Sequence, residues 1–260
     1  MGVERDGAEM RKLIAVMTCK ERLARANAQR RTWAKDVVGR GYADVRFFYG
    51  GFPSKDWNDD SVWLNVPDDY RGIPLKVKAI CEWSREHCYD FTMKCDDDVY
   101  IVPERLPYVP LEWVGDYVGR FRTPYGKVYP PHFASGFAYW LSSRASALVA
   151  DTPWNGDWMD ERFVATVLAR HGIFGYNDPV SYVCSGPHIK PLDLLKNPTL
   201  NRGTAFCEYG PTDMLAMHEV LGRLDRLVLG VPCPKQVPSV LVTDEILRSR
   251  PGDDVPPHKL

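Results

Sequence analysis

Three consecutive carboxylates, Asp96, Asp97 and Asp98, interrupt the strand-like run Asp90-Phe91-Thr92-Met93-Lys94-Cys95-Asp96-Asp97-Asp98-Val99-Tyr100-Ile101-Val102. Such a cluster repels itself unless a cation neutralises it. It either lies open to water as a surface turn or holds a hard metal ion through oxygen ligands. Phe91, Met93, Val99, Tyr100 and Ile101 crowd it on both sides, which favours carboxylates at the mouth of a buried strand.

A second acidic pair, Asp160 and Glu161, opens an apolar-periodic stretch that carries Phe163, Val164, Val167 and Leu168 and reads as a helix over 162–171. Acids in a first helical turn can simply complement the helix dipole. The competing reading makes one of them a general base on a rigid helix, with Trp154 and Trp158 beside it to stack on a substrate ring. A third feature is the strand Lys12–Cys19 running into a basic segment, Glu21 to about Val38, without Pro or Gly. A strand feeding a positively charged helix start is either an anion site or an ordinary solvated αβ unit.

The elements around these residues alternate. A second strand covers 43–50, a short one Val62-Trp63-Leu64 follows an acidic loop expected to be exposed, and an amphipathic helix spans Pro74 to His87 before the strand that carries the three aspartates. That is the order of a mostly parallel α/β domain, whose ligands sit beyond the carboxyl ends of the strands. Beyond Pro103 the pattern becomes short strands, at 113–118 and 125–129. An apolar run follows over 133–142, where Gly136 permits close approach, and then a helix over 143–149.

Composition sets the outer limits. The 260 residues, 45% of them hydrophobic, suffice for one large core, and a formal charge of −1 gives no global attraction to nucleic acid. Seven cysteines without a CxxC pair argue against a zinc site or a complete disulfide framework and favour a reducing compartment. With no apolar segment of signal or anchor length before the first strand, the expectation is a soluble cytoplasmic protein.

These features together resemble the beta-1,3-glycosyltransferases, which include beta-1,3-galactosyltransferases, beta-1,3-N-acetylglucosaminyltransferases and Fringe-like enzymes. The family's opening arginines before Thr-Trp are matched by Arg25 and Arg30-Arg31-Thr32-Trp33, and its Asp-Tyr with following Leu and Lys by Asp69-Tyr70, Leu75, Lys76 and Lys78. Its lysine before Asp-Asp-Asp-Val-Tyr is matched by Lys94 and Asp96 to Tyr100. Its Tyr-Pro, Ser-Gly, Tyr, Ser block is matched by Tyr129-Pro130, Ser135-Gly136, Tyr139 and Ser142, with one extra residue inside. The family's Glu-Asp-Val element falls on Asp160-Glu161-Arg162, so Glu161 stands in the place of the aspartate base and either carboxylate is a candidate. The likeness covers roughly residues 12–170, and nothing in it corresponds to about 190–260.

What the resemblance implies is a GT-A fold, an α/β architecture with a mostly parallel, Rossmann-like central sheet and flanking helices. It also implies transfer of a hexose or N-acetylhexosamine from a UDP-sugar, with inversion, to an acceptor hydroxyl. Mn²⁺, or Mg²⁺, would be held by Asp98 and Asp96, with His188 as a further ligand and His218 as second choice. Arg25, Arg30, Lys94, Asp96 and Asp97 are the donor-binding candidates, Glu161 or Asp160 the base, and Trp154, Trp158, Ser135, Gly136 and Tyr139 the acceptor or sugar pocket. The acceptor is expected to be a glycan, a lipid-linked sugar or a protein hydroxyl. A hydroxymethylated base in DNA is an alternative, and a catalytically silent sugar-nucleotide or glycan-binding module is another. The expected organisation is an extension over 1–11, one catalytic domain over 12–230 and a C-terminal extension over 231–260 ending in a mobile tail. In the catalytic domain the nucleotide-sugar half covers about 12–102, the acceptor half about 103–190 and a docked helical part about 190–230.

Overall fold

The computed structural model describes residues 10–52, 58–109, 111, 115–122, 132–178, 182–183, 204–207 and 209–228. The central layer is a sheet that begins with β1 (Lys12–Met17), β2 (Asp44–Gly50), β3 (Ser61–Leu64) and β4 (Phe91–Asp96). It is completed by β6 (Tyr117–Arg122), β7 (Phe133–Ser142) and β8 (Tyr176–Asn177), in the spatial order β3-β2-β1-β4-β7-β6-β8. β3, β2, β1 and β4 run parallel, β7 lies antiparallel between β4 and β6, and β6 pairs in parallel with β8. The fold class is therefore the mixed α/β, mostly parallel sheet with flanking helices that the sequence predicts. A second sheet joins β5 (Tyr100–Ile101), β9 (Tyr182–Val183) and β10 (Ala205–Phe206) in the order β5-β10-β9.

Strand alternation divides the core between two faces. Ile14, Val16, Met93 and Cys95 pack on one face with Ala26, Ala28, Trp33 and Val37 and with Met214, Met217 and Leu221. These partners come from α1 (Leu23–Gln29), α2 (Lys35–Gly39) and the segment between them, and from α6 (Pro211–Val228). Leu13, Ala15, Met17 and Phe48 face the other way, onto α3 (Ile73–Glu86), α4 (Ser143–Asp151) and α5 (Asp160–Arg170). A strand with both faces covered reads as a continuous apolar run, which is why 13–17 shows no polar alternation.

Three expectations are corrected. The helix expected over 21–38 is broken: a π-helical turn, Arg30–Ala34, separates α1 from α2, with Thr32 at φ −113 and ψ −117. There Thr32 Oγ1 donates to the Ala28 carbonyl at 2.7 Å, a side-chain bond that competes with the helix ladder. The strand expected at 113–118 begins only at Tyr117 and runs on to Arg122. The acidic loop before β3 is exposed at Asn58 and Asp59, but Asp60 at its end is only partly so, bound by Arg30 at 2.8 Å. The strand expected at 125–129, the stretch 190–203 of the expected docked helical part and the tail lie outside the described residues. Among the described residues no helix is long and apolar enough to cross a membrane.

Candidate active site at the carboxyl edge of the sheet

β1, β2 and β4 end side by side, and the candidate residues gather at that edge. The turn carrying the aspartates is clamped from behind by the basic helix. Gln29 Nε2 donates to the carbonyls of Asp96, at 3.0 Å, and Val99, at 2.8 Å, and Trp33 Nε1 donates to Val99 O at 3.1 Å. Gln29 and Trp33 are fully buried, so the backbone of this turn is held by groups that have no water to turn to.

The three aspartates then part company. Asp97 is 1% exposed, accepts from Thr18 Oγ1 at 2.8 Å, and has Arg22 and Arg25 at 3.5 Å. Burial pushes its carboxyl up, and the Thr18 hydrogen bond and the arginines work against that rise. Asp98 faces Arg25 at 3.3 Å. Asp96 turns to the other side and accepts from Lys94 Nζ at 2.6 Å. Desolvation pushes Asp96 up to about 7, with Lys94 opposing and Asp98 adding to the rise.

Lys94 is the bridge to the second acidic pair. Its ammonium, 3% exposed, lies 2.6 Å from Asp96 and 3.6 Å from Asp160 and also donates to the Gly136 carbonyl. Burial opposes its charge, but the Asp160 and Asp96 carboxylates outweigh that and hold it above the ordinary lysine value. Asp160 is buried and accepts from Tyr139 Oη at 3.2 Å. Glu161, on the first turn of α5, packs its carboxylate against Gly136: a Cβ at that glycine would lie 3.2 Å from Glu161 Oε2 and 3.3 Å from its Cδ. Gly136 is thus the floor under the Glu161 carboxylate. Desolvation first, and the neighbouring Asp160 second, push Glu161 up to about 8, a property of the interacting pair.

The other candidates are placed as follows. Arg30 is turned away from the cluster into a closed ion pair: it grips both oxygens of Asp60, reaches Asn27 and Ser61, and stacks on Phe47 at 3.9 Å. Those contacts brace the end of α1 against the start of β3. Lys94, expected at the donor, is instead spent on Asp96, Gly136 and Asp160. Tyr139 lies under the Lys94–Asp160 pair, with Lys94 Nζ 5.9 Å from its ring centroid. Ser135 is 9% exposed and its Oγ has no hydrogen-bond partner among the described residues. Its strand neighbour Gly136 faces Glu161, so alternation directs Ser135 to the opposite face. Trp154 and Trp158 stand exposed ahead of α5, and Trp154 Nε1 donates to Asp157 O at 2.8 Å. His188 lies outside the described residues. His218 meets the Tyr100 hydroxyl at 3.1 Å and Asp36 at 3.7 Å.

Sequence reasoning passed over a second layer beneath the turn. Lys76 Nζ, 3% exposed, binds Asp68 at 2.6 Å and the Thr18 carbonyl at 2.8 Å, while Asp68 accepts from the Gly50 amide at 2.8 Å. Gly50 is needed there, because a Cβ would fall 2.8 Å from the carbonyl oxygens of Val66 and Pro67. The only early signal was Lys76 itself, an ammonium on the apolar side of an amphipathic helix.

Among the described residues no three His, Cys, Asp or Glu side chains converge as metal ligands. Asp96 and Asp98 are partly exposed hard oxygen donors on the same turn, Asp96 bound to Lys94 and Asp98 to Arg25. That donor set fits a magnesium-like ion, which takes one or two carboxylates and completes its shell with water and substrate phosphates. No family model matches the chain. No curated protein matches it either. Among solved structures the chain is similar to a glycosyltransferase involved in the glycosylation of the major capsid of PBCV-1, at 9% identity and a TM-score of 0.44, over 82% of this chain and all of that one.

Proposed function

We propose that this chain is a metal-dependent, inverting glycosyltransferase of GT-A type that moves a hexose or N-acetylhexosamine from a UDP-sugar to an acceptor hydroxyl. The observation that carries the reading is the pairing of two unlike acidic clusters across Lys94. On one side are the buried Asp97 and the partly exposed Asp98, both paired with arginines, and on the other is Glu161, whose proton is held to about 8. A carboxylate with that affinity is well matched to taking a hydroxyl proton near neutrality. Asp160 is the weaker candidate base, since its carboxylate is buried and already engaged by Tyr139 and Lys94.

In this reading Asp96 and Asp98 hold Mn²⁺ or Mg²⁺, which when bound supplies compensation for the charge developing on the departing diphosphate. Arg22 and Arg25 lean over the same edge and meet the donor's phosphates. Glu161 takes the acceptor proton as the acceptor oxygen bonds to the anomeric carbon and the bond to UDP breaks on the opposite side. No separate acid is needed, because UDP leaves as a stabilised anion.

A second reading, a silent sugar-nucleotide-binding module, is favoured by one observation: Lys94 and Arg25 already neutralise Asp96 and Asp98 from within the protein. One experiment separates the two. UDP release is followed from UDP-galactose, UDP-N-acetylglucosamine and UDP-glucose with Mn²⁺, with and without chelator, over a panel of glycan, lipid-linked and peptide acceptors. Acceptor-stimulated release that chelation removes is expected. Tight UDP-sugar binding with no release for any acceptor supports the module, and absence of UDP binding overturns both.

A further inference from the structure

Tyr70 and Trp158 are 66% and 55% exposed, yet their rings, from segments far apart in the chain, lie 6.4 Å apart between centroids and 36° apart in plane. The backbone under each ring is anchored. Tyr70 begins a single helical turn capped by Asp69, which accepts from the Gly72 amide at 2.8 Å. Trp158 follows Asp157, whose carboxylate accepts from the Met159 amide at 3.1 Å and grips Arg162 through both oxygens. Two large exposed rings on anchored backbone are an unmet contact surface.

Position ties that surface to the reaction. Trp158 precedes Glu161 by three residues, a span of at most about 11 Å, and Tyr70 lies two residues after Asp68, which accepts from the Lys20 amide just beyond β1 and from the Gly50 amide at the end of β2. We infer that Tyr70 and Trp158 form a two-ring platform for a pyranose ring of a neutral acceptor glycan. This rests on the glycosyl-transfer reading and names its acceptor class. A sugar presents C–H groups of slightly positive character to the negative ring faces, and its hydroxyls remain free for hydrogen bonds. The charges next to the two rings along the chain are close to balance, since Asp69 and Arg71 flank Tyr70 and Asp157 beside Trp158 is paired with Arg162. A surface so balanced offers a phosphodiester-bearing acceptor such as DNA no electrostatic attraction, whereas a neutral glycan needs none.

The test is binding, measured apart from turnover. Neutral methyl glycosides and disaccharides of galactose, glucose and N-acetylglucosamine, and separately a single-stranded oligodeoxynucleotide, are titrated against the full chain, Tyr70→Ala, Trp158→Ala and Tyr70→Phe. UDP affinity is measured in parallel. Each alanine variant is expected to weaken sugar binding about tenfold, the worth of one aromatic contact, while Tyr70→Phe stays close to the parent. Both side chains are exposed, so the variants keep the fold. Sugar affinity unchanged in both alanine variants, no sugar bound by the parent, or oligonucleotide binding that depends on the two rings overturns the platform. Failure to bind UDP with ring-dependent sugar binding intact overturns the transferase reading alone.

Discussion

The two acidic clusters differ in how their charge is balanced. Asp97 and Asp98 face Arg22 and Arg25, roughly one cation for each carboxylate, and Asp97 adds a short hydrogen bond from Thr18. Across the strand, Asp96, Asp160 and Glu161 gather about the single ammonium of Lys94. A buried surplus of negative charge is relieved by taking up a proton, and Asp96 at about 7 and Glu161 at about 8 are where it goes. On the proposed reading the first cluster receives charged ligands and the second holds and releases a proton, with Asp96 at the border of the two as a metal ligand, although both are built from adjacent carboxylates.

The largest expected effect tests that division at the proton-holding side. Glu161→Gln should lower turnover by roughly 10²–10⁴-fold while leaving UDP affinity almost unchanged, since a general base contributes to the transition state alone. Steady-state kinetics and a UDP titration check this. If Glu161→Gln weakens UDP binding as much as it slows turnover, the two clusters do not have separate tasks.

Lys94→Met should act chiefly on stability. It strips the shared cation from carboxylates that are largely buried, and breaking such a pair costs about 3–5 kcal/mol. Arg25→Gln removes a side chain that is 35% exposed and should cost under about 1 kcal/mol. Urea unfolding of the two variants makes the comparison, and equal losses would show that the charge balance of the two clusters is alike after all. At the ligand side Arg25→Gln should instead weaken UDP by about tenfold, read by calorimetry.

How much of this was visible in the residues follows from the range of the interactions. Period and run length placed β1, β2, α3, β4 and α5, because burial of a face leaves its mark within the element itself. Lys94 and Asp96 are two apart on a strand, so their shared face was already implied. The antiparallel direction of β7 was not, since a fully buried strand reads alike in both directions. Nor was the pairing of Arg30 with Asp60, which depends on a loop folding back across thirty positions and braces α1 against β3. Gly136 was legible as a close approach, but what approaches it, the Glu161 carboxylate, is set by the angle at which α5 meets β7.

The smallest effect is the proton's contribution to stability, and its sign follows from the direction of the shift. Glu161 in the folded chain keeps its proton to about 8, whereas in the unfolded chain it loses it near the ordinary glutamate value. Between those limits the folded state binds more protons than the unfolded state, so stability falls as pH rises. The slope for one group cannot exceed about 1.4 kcal/mol per pH unit, and the coupling to Asp160 spreads it over a wider range. Glu161→Gln cannot titrate, so its unfolding free energy should decline less steeply than that of the parent between about pH 5 and 8 and run parallel to it above that range. Arg25→Gln, altered in the other cluster, should keep the parent's slope. Urea unfolding across that pH range reads all three. Parallel curves for the parent and Glu161→Gln throughout would show that Glu161 holds no extra proton, and the acidic surplus around Lys94 would then have to be relieved at Asp96 alone.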